Sequence, residues 1–343
     1  MARSHSVNPA GEAMAGAPML SVVVTGYTMQ RLPDVIEAIG SLSRQTYRDM
    51  EIIFVAEGPE ELAQRVGVFG RETGIHNLRV IPNDGPNGLT FARNVGVEHA
   101  RGRFIAFLDD DAVAAPDWAE QLVQTFVAFP EAIGLTGQAL PLWLGEEAHW
   151  FPDELDWILG STRFTGWREV RVVRNVAGVN MAFRKEAFEY CRFSTALTAG
   201  NQGDAGGIKR GLVGDDTLFS LEACERTGRP ILFNPAVVVH NKVYPYRLQP
   251  EYVRRRAFWE GYTKATLVRS SGSDYTMRLS TETDLLRRIL FGLLPRTMCQ
   301  LFARPRLALR RLSLTATVLF HSALGYAAGR LGFSGPLLMQ RYG

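Results

Sequence analysis

The chain has 343 residues, 46% hydrophobic and 21% charged, with a net charge of +3, a balance that buries a core and excludes a disordered or fibrous chain. Three widely separated cysteines, Cys191, Cys224 and Cys299, exclude a disulfide scaffold and a thiolate metal cluster, and point to a reducing compartment. The small net charge conceals an acidic body and a basic end: from Asn241 onward there are 17 Lys/Arg against 5 Asp/Glu, leaving 21 against 30 in the first 240 residues.

Residues 1–19 are rich in Ala, Gly, Ser and Pro and hold no apolar run of signal-peptide length, which predicts a disordered leader. Residues 20–25 are β-branched and continuous, as a strand covered on both faces would be. A helical pattern follows through Val35, Ile36, Ile39 and Leu42. Two more strand–helix units are predicted, at 51–55 with 60–73 and at 78–81 with 89–100. A fourth strand spans 103–108, and Pro116 opens a helix in the first turn, where proline is tolerated. This alternation predicts an α/β fold, a mostly parallel Rossmann-like sheet flanked by helices, whose ligands sit beyond the carboxyl ends of the strands. After a strand at 133–136 the rhythm breaks, and 141–168 reads as an irregular lobe or flap. Strands are expected again at 169–174, 179–183 and 231–239, the last ending in His240, with helices at 215–227 and 250–268. Two apolar, arginine-punctuated segments, 284–294 and 307–329, close the chain.

Three clusters carry chemistry. The fourth strand runs straight into Asp109-Asp110-Asp111, and adjacent carboxylates repel unless a cation answers them. They are either turn acids capping the next helix or ligands for a hard divalent ion and a phosphate. Gly214-Asp215-Asp216 opens a helix, where acids complement the helix dipole or serve as a general base. Gly88 begins a helix carrying Thr90, Arg93 and Asn94. This is an amphipathic helix, or one whose first backbone N–H groups and nearby cation hold a phosphate or nucleotide.

Together these residues resemble family 2 glycosyltransferases, inverting sugar transferases of the GT-A fold. Ser21-Val-Val-Val-Thr-Gly-Tyr27, Ala92-Arg-Asn-Val-Gly96, Phe107-Leu-Asp-Asp-Asp111, Asn180-Met-Ala-Phe-Arg184 and Gly214-Asp-Asp216 occur in that family's order and spacing, across about residues 20–270. The resemblance implies that Thr25, Tyr27 and Arg93 line the base and ribose of a nucleotide sugar, with UDP the expected nucleotide. It implies that Asp109 faces the ribose or metal, that Asp110 contacts the nucleotide sugar, that Asp111 binds the Mn²⁺ or Mg²⁺ clamping the diphosphate, and that Asp216 is the catalytic base. Asn180 and Asp215 would shape the sugar and acceptor site. His240 would lie at the metal, and Arg255 or Arg256 near the diphosphate. The family's second strand usually ends in an acid that holds uracil; here Ala56 stands in its place, so Glu57 substitutes or the base is held differently.

Rival readings are a haloacid dehalogenase-like phosphatase with Asp109 as nucleophile and a non-catalytic relative acting as a binding subunit. Three strand–helix units precede the acids, whereas the phosphatase motif ends a first strand. Retention of Asp109, Asp111 and Asp216 argues against the binding subunit. The end of the chain, 271–343, is expected to be a basic, apolar helical segment. Residues 312–329 lack Asp, Glu, Lys and Arg but contain Ser313, Thr315, Thr317, His321 and Ser322, so an interfacial helix on an anionic membrane fits better than a dimer-packing helix or a span. The resulting expectation is a cytoplasmic enzyme, peripheral at the inner face of the cell membrane. It would use a nucleotide-sugar donor and a glycan or lipid-linked acceptor in cell-surface polysaccharide assembly, without nucleic acid and with a homodimer as an option.

Overall fold

The computed structural model describes residues 18–194, 214–270 and 280–332; all but the last two residues of the expected leader lie outside them. Four parallel strands form the first half of the sheet: β1 (Leu20–Gly26), β2 (Met50–Ala56), β3 (Leu78–Pro82) and β4 (Phe104–Leu108). Helices α1 (Leu32–Ser43), α2 (Glu60–Glu72) and α3 (Leu89–His99) connect them. The continuous apolar text of β1, β2 and β4 is explained by burial on both faces. Val22, Val24, Ile52 and Phe54 pack toward α1 and α2. Val23, Ile53, Val55 and Phe107 face the opposite layer.

The second half of the sheet is mixed. A short β5 (Ala112–Ala114) and α4 (Trp118–Ala128) lead to β6 (Gly134–Trp143), β7 (Arg171–Val173), β8 (Asn180–Arg184) and β9 (Ile231–Val243). The strand order is β3-β2-β1-β4-β8-β6-β9-β5, with β7 on β9. A four-residue α5 (Ala187–Tyr190) and α6 (Asp215–Thr227) cover the second face. The lobe predicted from residue 141 starts later than expected, because β6 continues to Trp143 beside the far half of β9. That pairing is set by a strand a hundred residues away, which local periodicity cannot register. The lobe itself is two 3₁₀ turns, Asp153–Leu159 and Arg163–Thr165.

At the amino edge of the sheet, buried Glu51 ties the layers together. Its carboxylate accepts from Ser21 Oγ (2.7 Å), the Arg101 backbone N–H (2.8 Å), Arg101 Nε and Nη2 (3.0 and 2.8 Å) and Arg79 Nη1 (3.0 Å). Burial alone would raise its pKa, but these donors hold it below the ordinary carboxylate value.

The described helices after β9 fold back on this body. Helix α7 (Pro250–Ser270) is followed by α8 (Ser280–Arg288), a π turn (Ile289–Leu293), α9 (Leu294–Ala303) and α10 (Pro305–Leu331). Helix α10 lies so close to α7 that a Cβ on Gly325 would stand 1.9 Å from the Phe258 carbonyl oxygen, and one on Gly261 2.0 Å from that of Ser322. Only glycine permits such backbone approach. The uncharged stretch around residues 312–329 therefore spends one face inside its own chain. Among the described residues no helix is long and apolar enough to cross a membrane.

Candidate active site

A cleft of about 760 Å³ opens where the carboxyl ends of the strands meet α7, α8 and α10. Asp109, Asp111, Arg93, Asp215 and Asp216 all line it, so the β4 acids and the α6 acids converge as expected. Helix α6 starts where Gly214 adopts φ +117°, a conformation that favours glycine and aims the two following carboxylates into the cleft.

Arg93 is the hinge of the constellation. Its buried guanidinium donates to Asp215 Oδ2 (2.5 Å) and Asp109 Oδ1 (3.2 Å), and packs over the Phe193 ring. Asn94 holds the backbone of Phe193 with two hydrogen bonds, and so fixes the wall behind Arg93. Asp216 is held differently. Its Oδ2 accepts the Gly178 N–H at 2.8 Å and its Oδ1 the Thr217 N–H at 2.7 Å. Burial first, and then the neighbouring Asp215 charge, lift its pKa to about 6.

The cations beside Asp110 and Asp111 are arginines that sequence reasoning missed. Arg31 Nη2 lies 3.0 Å from Asp110 Oδ1 and 3.1 Å from Asp111 Oδ2. Arg247 Nη2 donates to the same Asp111 oxygen at 2.7 Å. Asp110 is pushed up to about 7, chiefly by burial, with Asp111 and Asp109 adding to it against Arg31. Its Oδ2 is buried without a hydrogen-bond partner.

A second charged group, of which only Arg256 was expected, lines the cleft toward α7 and α8. Arg174 pairs with Glu282 through 2.7 and 3.0 Å bonds. Lys264 lies 3.0 Å from Glu282 and 3.2 Å from Glu260, and Arg256 lies 3.6 Å from Glu260. Burial opposes ionisation of Glu282, yet Lys264 and Arg174 bring it down to about 2.

Other expected residues are placed elsewhere. Thr25 and exposed Tyr27 stand at the end of β1. Buried Glu57 accepts the Gly88 N–H at 3.0 Å and the Asn83 amide at 3.4 Å, so it anchors the start of α3. The structure does not bring Asn180 to the cleft. Its amide accepts from Trp118 Nε1 (2.9 Å) and donates to the carbonyls of Gln138 (3.0 Å) and Val237 (2.9 Å), which makes it a strut between strands. His240 lies in mid-β9 opposite Val113, outside the cleft lining. Arg255 is also outside the lining, with Nε and Nη2 buried and unpartnered. Among the described residues no three His, Cys, Asp or Glu side chains are grouped as a metal site.

The sequence matches the profile of Glycosyl transferase family 2 over residues 21–191. It is 31% identical over 250 residues to the glucosyl-dolichyl phosphate glucuronosyltransferase of Haloferax volcanii, covering 72% of this chain and 77% of that one. The chain belongs to glycosyl transferase family 2. It is a nucleotide-sugar glycosyltransferase, and the phosphatase reading of Asp109 falls. The succinoglycan biosynthesis protein ExoM of Rhizobium meliloti is 25% identical over 248 residues, 71% of this glycosyltransferase and 74% of ExoM. The fold is that of the mannosyltransferase PcManGT from Pyrobaculum calidifontis, solved with GDP-Man and Mn²⁺. The TM-score is 0.59 at 16% identity, over 91% of this chain and 88% of that one. The expected GT-A architecture is therefore the one found.

Proposed function

We propose that this glycosyltransferase transfers a sugar from a nucleoside diphosphate, UDP in the first instance, to a hydroxyl of a lipid-linked glycan, with inversion and with Asp216 as base. The observation that carries the reading is the convergence of Asp216, Asp109 and Asp111 on one cleft that Arg93, Arg174, Arg247 and Arg256 also line. An acceptor hydroxyl is a poor nucleophile until a carboxylate takes its proton during attack. Asp216, held by two backbone N–H groups and lifted to about 6, is ionised at neutral pH and still basic enough to do so. Direct displacement needs this one base and inverts the anomeric carbon. The departing diphosphate gathers negative charge, which Arg247 and Arg31, already beside Asp111, are placed to offset.

The donor set also fits a divalent ion. Asp109 and Asp111 offer hard carboxylate oxygens on the cleft, and Arg31 and Arg247 both claim Oδ2 of Asp111. Mn²⁺ or Mg²⁺ commonly binds through one or two such carboxylates plus substrate phosphates. Asp111 and Asp109 would hold the ion, which supplies Lewis-acid charge to the leaving diphosphate.

The lipid-linked acceptor is supported by the Haloferax volcanii relative, which is named for glucosyl-dolichyl phosphate, and by the apolar wall that Leu285, Ile289 and Leu319 give the cleft. Such an enzyme works peripherally at the cytoplasmic face of the membrane. The test is Asp216→Asn. Donor affinity by calorimetry is expected to stay within a few-fold, while single-turnover transfer falls by roughly 10²–10⁴. Joint loss of donor binding and rate would reassign Asp216 to a structural role.

A further inference from the structure

We infer that the outward face of the π turn and α9, continued by the start of α10, seats this protein on an anionic lipid surface. Phe302 is 95% exposed, Phe291 81%, Met298 58% and Leu290 51%. Phe291, Met298 and Phe302 recur at spacings of seven and four residues, which keeps them on one helical face. The opposite face, with Leu293 and Thr297, is buried against the body. Folded proteins seldom leave large side chains so fully and contiguously in water unless the patch meets something.

Charge decides what it meets. Residues 285–332 contain eight arginines and no Asp, Glu or Lys. Arg304 and Arg306 follow Phe302 directly and are exposed, and no acid among the described residues pairs with either. A symmetric dimer through this face would press the same acid-free segment, with its exposed Arg304 and Arg306, against itself, whereas interface cores exclude unpaired charge. An anionic bilayer answers both features, with aromatic and aliphatic side chains in the headgroup–acyl boundary and arginines among the phosphates. No described helix crosses a membrane, so the segment lies on it.

The docking face is continuous with the cleft. Leu286 and Ile289 line the cleft, and Leu290 and Phe291 follow at once in the same segment. The cleft thus opens beside the lipid surface, and an acceptor's hydrocarbon can stay in the bilayer while its glycan reaches Asp216. This entry route rests on the transfer reading above; the docking face does not.

The experiment is flotation of the full-length protein with vesicles of phosphatidylcholine alone or mixed with phosphatidylglycerol. Binding to the mixed vesicles at low salt is expected, weakening as salt screens the arginines. Phe291→Ser with Phe302→Ser should lower bound protein roughly tenfold or more. Arg304→Gln with Arg306→Gln should lower it roughly 25-fold, each arginine near an anionic surface strengthening binding about fivefold. Nucleotide-sugar affinity by calorimetry should be unchanged in both variants. Absence of flotation at low salt, or equal flotation of all three proteins, overturns the inference. So does a dimer in light scattering that the Phe variant dissolves while vesicles are ignored, which would give the face to a second copy. A wild type that floats but binds no nucleotide sugar keeps the docking face and sinks the transfer reading instead.

Discussion

The two edges of the sheet treat buried acid in opposite ways. At the amino edge a single carboxylate, Glu51, takes five hydrogen bonds from Ser21, Arg79 and Arg101, and its pKa is pulled down. At the carboxyl edge Asp110 and Asp216 are lifted to about 7 and 6, and one Asp110 oxygen is buried with no partner at all. An acid whose lone pairs are all answered works as structural glue. Acids in excess of their donors leave the folded state short of counter-charge, a condition typical of sites that bind or react. The same element type, a parallel strand in one sheet, thus supplies stability at one end and chemistry at the other.

That contrast can be broken by mutation. The largest effect on stability is expected from Glu51→Ala. It strands the buried Ser21 hydroxyl and the Arg101 N–H, and should cost about 2–4 kcal/mol in urea denaturation while leaving turnover of the folded fraction intact. An unchanged urea midpoint would show that the amino edge is not held by this residue. Next in size is the pH profile of transfer. Because the pKa of Asp216 is raised, its base form is lost as pH falls through about 6, so the single-turnover rate should drop about tenfold per unit below that point. A flat profile from pH 5 to 8 would move the base elsewhere.

The smallest effect has the opposite sign to the first. An aspartate whose folded pKa lies above its unfolded value penalises the folded state where it is ionised. The penalty is present above about 7 for Asp110 and disappears as pH falls toward the unfolded value of about 4. Asp110→Asn should therefore stabilise the protein at pH 8 by on the order of 1 kcal/mol, with little gain at pH 4.5. Equal effects at the two pH values, measured by urea midpoints, would mean that charge is not the cause.

Much of this was legible in the residues. The runs in β1, β2 and β4 are continuous because both faces are buried. The acids after β4 therefore had to lie at the carboxyl edge, while those at the start of α6 were brought to it only by the family resemblance. What stayed hidden was long-range. Arg31 and Arg247 stand 79 and 136 residues from the aspartates they meet, and nothing in their own neighbourhoods marks them. Asn180 matched a family motif, yet its amide is taken up by Trp118 and two carbonyls. The three-residue β5 and the far half of β6 exist only because β9 pairs with them. The closing helix had the composition of an interfacial or packing element, and only the contacts of Gly261 and Gly325 show that one of its faces is internal.

Those glycine contacts also bear on the order in which the protein can become active. Chains leave the ribosome amino end first, and domains fold as they emerge. The sheet and the aspartates precede α10 by hundreds of residues or scores of them, yet Val318, Leu319 and Tyr326 of α10 form one wall of the cleft. Until α10 arrives, Phe258 and Trp259 of α7, buried in the finished fold, lack part of their cover. A chain interrupted before Pro305 would carry the cleft aspartates without a closed site, and would expose an apolar helix to chaperones and proteases. Closure of the cleft thus depends on α10, which is made after every other described part of its lining.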